Sequence, residues 1–167
     1  RIREAVEGRN ADLIQTEGRL QAEAGAHYLD ANTGTHPERE PADMGWLVET
    51  IQAAVDLPLC IDSPNPEALR AGLAVHRGQA LVNSASGEEG RLEPVVALAA
   101  SHGARLVGLT LDDRGLPTTA EQRVAIARRL AAATQAAGLS LSDLFIDPLA
   151  RAVAVENEQG AAFLDAV

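Results

Sequence analysis

Five stretches of this chain that read as β-strands each run into a polar residue at the carboxyl end: Asp30 in HYLDAN, Asp62 in LPLCIDS, Asn83 in ALVNS, Thr110 in LVGLT and Asp147 in LFIDP. Strands covered on both faces are nearly continuous apolar runs, so a carboxylate or amide recurring at the last position asks for a ligand. In α/β proteins chemistry gathers at those strand ends. Three carboxylates and an amide could accept paired hydrogen bonds from a heterocycle rich in N–H groups. Alternatively, Asp30, Asp62 and Asp147 could hold Mg²⁺. Each residue also has a purely local reading. Asp62 precedes a Ser-Pro-Asn bend, Asp147 precedes Pro148, and Asn83 before Ser84 could close a side-chain turn.

The elements that must position these residues are legible in the punctuation. The spacing predicts a helix over 1–24 with a break near Gly8, stopped by Gly25 before a strand at 26–31. In the segment 41–55, Met44, Leu47, Val48, Ile51 and Val55 recur three and four apart, which predicts an amphipathic helix. Trp46 lies on it and is expected to pack. After a strand at 57–62, Asn65 caps and Pro66 starts a helix to Val75, followed by a strand at 80–83. A helix over 90–102 ends at Gly103 and leads into a strand at 104–110. Thr119 and Gln122 form a capping box for a helix that Gly138 ends. The last strand is 144–147, and a final helix covers 156–167.

This strand–helix alternation predicts a parallel sheet with right-handed crossovers. An open doubly wound sheet brings only two or three strand ends together at a switch point. A closed barrel directs all of them toward one axis, and the strand ends recur about every thirty residues, as in a (β/α)8 barrel. The expected fold is therefore α/β, a partial TIM barrel with about five of eight strands in residues 1–167, read as one domain truncated at both ends. Thr110 is expected to line the mouth.

Composition narrows the chemistry. With 167 residues, 46% of them hydrophobic, the chain can bury a sizeable core, and no apolar run approaches a membrane span. A cytoplasmic location is expected. The net charge of −10 and the near absence of aromatic residues argue against nucleic acid. All fourteen basic residues are Arg, which rules out lysine Schiff-base chemistry by the residues shown. The single Cys60, in an apolar strand, reads as a core residue. His27, His36, His76 and His102 lack ligand spacing, so no zinc site is expected. Nucleophile-elbow, dinucleotide and phosphate-loop motifs are absent.

LDANTG, LVETIQ, LPLCIDSPN, ALVNSASGEEG, HGARLVGLTLDDRGLP and LSDLFIDPL, in that order, resemble the methyltetrahydrofolate:corrinoid/iron-sulfur protein methyltransferases. That group is related to the folate module of cobalamin-dependent methionine synthase and to dihydropteroate synthase, all pterin-binding barrels. The resemblance implies transfer of the N5 methyl of 5-methyltetrahydrofolate to cob(I)alamin on a corrinoid protein, by a homodimeric enzyme. It places pterin contacts at Asp62, Asn83 and Asp147, with Asp30 and Asn32 shaping the pocket nearby. It also places the Asn that reaches N5 on a later strand, outside this chain, so no catalytic residue is assigned. The stretch Thr33 to His36 departs from the family pattern. A dihydropteroate synthase-like enzyme is the first alternative, although DANTGTH and IDPLA lack its Gly-rich loops. A non-catalytic module that binds a pterin or docks a corrinoid protein is the second.

Overall fold

The computed structural model describes residues 1–150 and 157–167. The chain divides into two compact units, one of residues 1–83 with 102–104, the other of residues 84–101 with 105–167.

In the first unit the predicted opening helix is two: α1 (Ile2–Glu7) and α2 (Ala11–Glu23). Asn10, unremarked in the sequence, caps α2 by accepting from the Leu13 N–H at 3.1 Å. Strand β1 (Leu29–Ala31), helix α3 (Glu40–Gln52), strand β2 (Leu59–Asp62), helix α4 (Pro66–Val75) and strand β3 (Leu81–Ser86) follow in the expected order, but β3 continues past Asn83 to Ser86, so Asn83 lies within its strand and not at the carboxyl end. The pairings β1–β2 and β2–β3 are parallel. Asn65 caps α4 through the Glu67 N–H, with Pro66 at the first helical position.

Side chains alternate across a strand, so each face of β1–β3 can be read from the register. Leu29, Ala31, Leu59, Ile61 and Val82 are all buried, as are Met44, Leu47, Val48 and Ile51 of α3 and Ala68, Leu69 and Leu73 of α4. A β-carbon on Gly72 would lie 2.8 Å from Ile61 and 2.9 Å from Met44, so only glycine lets α4 approach this closely. Burial of β1 runs buried, exposed, buried, with Asp30 as the exposed member. Asp30, Asp62 and Asn83 thus share one face with Cys60, Leu81 and Ala85, while Ser84 and Ser86 of β3 turn to the other face with Val82. Trp46 is half-buried and carries the Arg9 guanidinium 4.8 Å above its ring. Arg9 in turn reaches the buried Asp43 at 2.7 Å.

The second unit holds α5 (Leu92–Ser101), β4 (Arg105–Leu109), α6 (Ala120–Ala136), β5 (Leu144–Asp147) and α7 (Asn157–Leu164). Strands β4 and β5 are parallel. The capping box at Thr119 and Gln122 is formed in both directions. Gly108 lets α6 close on the strands, since a β-carbon there would meet Leu130 at 3.1 Å and Leu144 at 3.3 Å. The expected start of the last helix at Glu156 lies outside the described residues. Among the described residues no helix is long and apolar enough to cross a membrane.

Candidate functional site

The register of the first unit sorts the candidate residues into two levels. Asp30 pairs with Cys60, and Asp62 pairs with Asn83. Asn32, two residues beyond Asp30 on the same face, therefore falls level with Asp62. Its side-chain amide donates to Asp62 Oδ2 at 2.9 Å. The orientation of that amide is set locally, because Asn32 Oδ1 accepts from the Gly34 N–H at 3.0 Å, leaving Nδ2 to point at the carboxylate. Gly34 has φ of 60°, a conformation the turn requires and glycine adopts freely. Asn32, Asp62 and Asn83 thus form a row, with Asp30 and Cys60 one level deeper.

Electrostatics follow from that layering. Asp30 keeps an exposed surface but is partly shielded from water at the foot of the row, and that desolvation, and next the nearby Asp62 carboxylate, hold its carboxyl above its ordinary pKa. The Cys60 thiol is pushed up to about 12, first by burial and then by Asp30 and Asp62, against an opposing hydrogen bond from Asn83. Cys60 is buried, as a core residue should be, yet it belongs to the polar face and lies beneath the row.

Two residues behind the row were not singled out from the sequence. Ser63, on the face opposite Asp62, donates its hydroxyl to Glu40 Oε1 at 2.6 Å and accepts the Asn65 N–H at 2.9 Å. Its own N–H donates to the Asn83 carbonyl at 3.0 Å. Period two along CIDS would have turned Ser63 toward the helices, but nothing in the sequence pairs it with Glu40.

In the second unit Asp147 is level with Leu109, and the Thr110 N–H donates to the Asp147 carbonyl at 3.0 Å. Asp147 is exposed, and its Oδ1 accepts the Leu149 N–H at 2.8 Å, closing the side-chain turn that its place before Pro148 suggested. Leu149 has a φ of 53°, a strained conformation for a branched residue. Arg123 of α6, 1% exposed, secures the turn by donating to the carbonyls of Pro148 (2.9 Å), Leu149 (3.4 Å) and Thr119 (3.2 Å). Thr110 does not line a mouth. Leu109, not Thr110, shares the face of Asp147, and Thr110 is 1% exposed alongside the buried Leu106 and Gly108. The recurrence of a polar strand end did not carry its phase.

A separate polar cluster occupies the loops of this unit. Asp112 takes a bidentate pair from Arg114, Nε to Oδ1 at 3.2 Å and Nη2 to Oδ2 at 2.8 Å, with Arg129 at 3.8 Å. Hydrogen bonding from Arg114, above all, holds the Asp112 carboxyl below its usual range. Among the described residues no group of three or more His, Cys, Asp or Glu side chains is arranged to hold a metal ion.

The chain is similar to known proteins over most of its length. A family model described as "Pterin binding enzyme" matches residues 3–167. A methylcorrinoid:tetrahydrofolate methyltransferase from Eubacterium limosum is 35% identical over 93% of this chain and 58% of its own length. The methionine synthase of Mycobacterium tuberculosis is 34% identical over 83% of this chain and 12% of its own length, so the chain spans little more than half of one relative and a small part of the other. Among solved structures, dihydropteroate synthase from Xanthomonas albilineans with 4-aminobenzoic acid has a TM-score of 0.71 at 21% identity, over 93% of this chain and 60% of that one. That likeness speaks to fold alone. The fold is α/β, with five parallel strands that correspond to part of a barrel. With the family pattern running from residue 3 to residue 167, this chain belongs to the pterin binding enzyme family.

Proposed function

We propose that this chain binds the pterin ring of a reduced folate and serves methyl exchange between N5 of that folate and a corrinoid carried by a partner protein. The observation that carries the reading is the row Asn32–Asp62–Asn83. Asp62 is held as an acceptor by Asn32 at Oδ2, and among the described residues nothing donates to its Oδ1. A pterin presents an amine and a ring N–H side by side, and such a pair suits a carboxylate. Asn83, an amide on the same level, can meet a neighbouring carbonyl or N–H. Asp30, one level down and held toward its neutral form by burial and by Asp62, would deepen the pocket. Asp147 joins the proposal through its IDP motif, with one oxygen already given to its turn.

Chemically, methyl passes as a cation equivalent: the bonding pair returns to N5 when methyl leaves for the corrinoid, and is supplied by N5 in the reverse sense. A leaving nitrogen needs a proton or a strong hydrogen bond, and no side chain of this chain is assigned that role. These residues bind and orient. The sequence suggested 5-methyltetrahydrofolate as donor, whereas the Eubacterium relative is named with the methylcorrinoid first. A site complementary to the transition state serves both directions, so ligand supply sets the direction.

The test is absorbance-monitored methyl transfer by the full chain, run both from 5-methyltetrahydrofolate to cob(I)alamin and from methylcobalamin to tetrahydrofolate. Calorimetric folate binding would be measured beside it. Folate binding is expected of these residues, and turnover in either direction is expected once the N5-contacting Asn is supplied. Absence of both turnover and folate binding in a folded protein would end this reading.

A further inference from the structure

A buried carboxylate is costly unless its position requires it, and Glu40 is such a group outside the row that would contact ligand. It is the first residue of α3 and 7% exposed, and it accepts from Ser63 Oγ at 2.6 Å, a short bond of the kind charged acceptors make. Ser63 itself is 1% exposed and completely engaged. Its hydroxyl donates to Glu40 and accepts from Asn65 N–H, while its own N–H donates to the Asn83 carbonyl. Asn65 extends the network, capping α4 with Oδ1 and reaching the Pro37 carbonyl with Nδ2 at 3.4 Å. The starts of α3 and α4 are thereby tied to the residue that follows Asp62. Because side chains alternate, a force that holds Ser63 on the helix-covered face sets the direction in which Asp62 leaves the other face.

We propose that Glu40 is a positioning residue: by holding the Ser63 hydroxyl among the helices, it fixes the orientation in which Asp62 presents its carboxylate to Asn32 and to ligand. The ligand half of this proposal rests on the folate reading above, and the Asn32 half does not. Glu40 supplies an acceptor at a set position, so Gln, which keeps an acceptor oxygen, should replace it. Glu40 touches no reacting atom in this scheme.

The experiment compares the full wild-type chain with Glu40→Gln, Glu40→Ala, Ser63→Ala and Asp62→Asn, and with the double variant Glu40→Ala/Asp62→Asn. Two readouts are taken: tetrahydrofolate Kd by calorimetry, and the side-chain amide signal of Asn32 in ¹⁵N–¹H spectra. Glu40→Ala and Ser63→Ala should each weaken Kd by about tenfold, as displacement of a ligand-facing group does, and should shift the Asn32 signal. Glu40→Gln should stay near wild type in both. In the Asp62→Asn background, Glu40→Ala should change Kd no further. An undiminished loss in that background overturns the proposal, as does an Asn32 signal that stays put while only the melting temperature falls. If Glu40→Ala fails to fold, Ser63→Ala and Glu40→Gln carry the same comparison. Should the wild type bind no folate, the functional reading falls, and the Asn32 signal alone decides whether Glu40 positions Asp62.

Discussion

Asp62 and Asp147 occupy the same place in the sequence pattern, each the last residue of a predicted strand, and the two compact units use them differently. In the first unit Asp62 points from a polar face whose members answer one another: Asn32 donates to it, Asn83 is level with it, and Ser63 and Glu40 brace it from behind. In the second, Asp147 gives an oxygen to its own turn at Leu149, and a buried Arg123 secures that turn through the backbone. One carboxylate has, among the described residues, an oxygen without a hydrogen-bond donor; the other is also part of the scaffold. A polar strand end is thus a signal with two physical meanings, and the side-chain partners separate them.

The largest way to break the contrast is Arg123→Leu. The carbonyls of Pro148 and Leu149 lose a buried donor, while that of Thr119 keeps the backbone N–H of residue 123, and each unsatisfied polar group costs about 1–3 kcal/mol. Stability should fall by about 2 kcal/mol or more, read as a lower urea midpoint. An equal loss from Arg128→Leu, an exposed neighbour on α6, would show that the carbonyls were not the reason.

Next come the two carboxylates themselves. Asp62→Ala should weaken folate binding by about 1.5–3 kcal/mol, the range for hydrogen bonds to a charged group, with little change in melting temperature. Asp147→Ala should weaken binding in the same range and also lower stability by about 1 kcal/mol, because the Leu149 N–H loses its acceptor in a strained turn. Calorimetry and thermal denaturation on the same samples separate these outcomes. If Asp147→Ala left the dissociation constant unchanged, Asp147 would belong wholly to the turn.

Much of this was legible in the chain. Helix ends were marked by Gly25, Gly103 and Gly138, and starts by Asn65 with Pro66 and by the Thr119–Gln122 box, because capping is local chemistry that a few neighbouring residues decide. The grouping of Asp30, Asn32, Asp62 and Asn83 also followed, since motifs at successive strand ends must share a sheet edge. What escaped depends on phase and distance. Thr110 was misplaced because a strand whose last ordered residue is Leu109 turns the next side chain to the other face. Glu40 and Ser63 lie twenty-three positions apart, and neither announces the other. Arg123, in a helix rich in Ala and Arg, reads as a solvated residue, and only the fold supplies the three carbonyls around it.

A smaller effect contrasts Asp30 with Asp112. Burial and Asp62 raise the Asp30 pKa on folding, so at neutral pH its charge opposes the folded state, and that penalty is relieved as pH falls through the raised value. Arg114 lowers the Asp112 pKa, so Asp112 stabilises the fold above its unfolded pKa and this contribution is lost as pH falls through the lowered value. Asp30→Asn should therefore leave stability at pH 7 unchanged or higher, while Asp112→Asn should lower it. Urea titrations at pH 7 and pH 4 give the signs, and loss of stability in Asp30→Asn at pH 7 would contradict the cause assigned to its shift.

The smallest expected signal probes the lower level of the row. With its pKa pushed up to about 12, Cys60 holds very little thiolate at pH 8, and alkylation proceeds through the thiolate. Folded wild-type protein should therefore resist iodoacetamide at pH 8, whereas urea-unfolded protein should react within minutes. Burial alone would give the same resistance, so the discriminating variant is Asp30→Asn, which removes one neighbouring charge and leaves the packing nearly intact. If Cys60, Asp30 and Asp62 share one face, the residual alkylation rate should rise in that variant, and in Asp62→Asn, without a matching rise in Asp112→Asn. Equal rates in all three would mean that steric closure, and not the two carboxylates, protects the thiol; the electrostatic coupling within the row would then be weaker than the register implies.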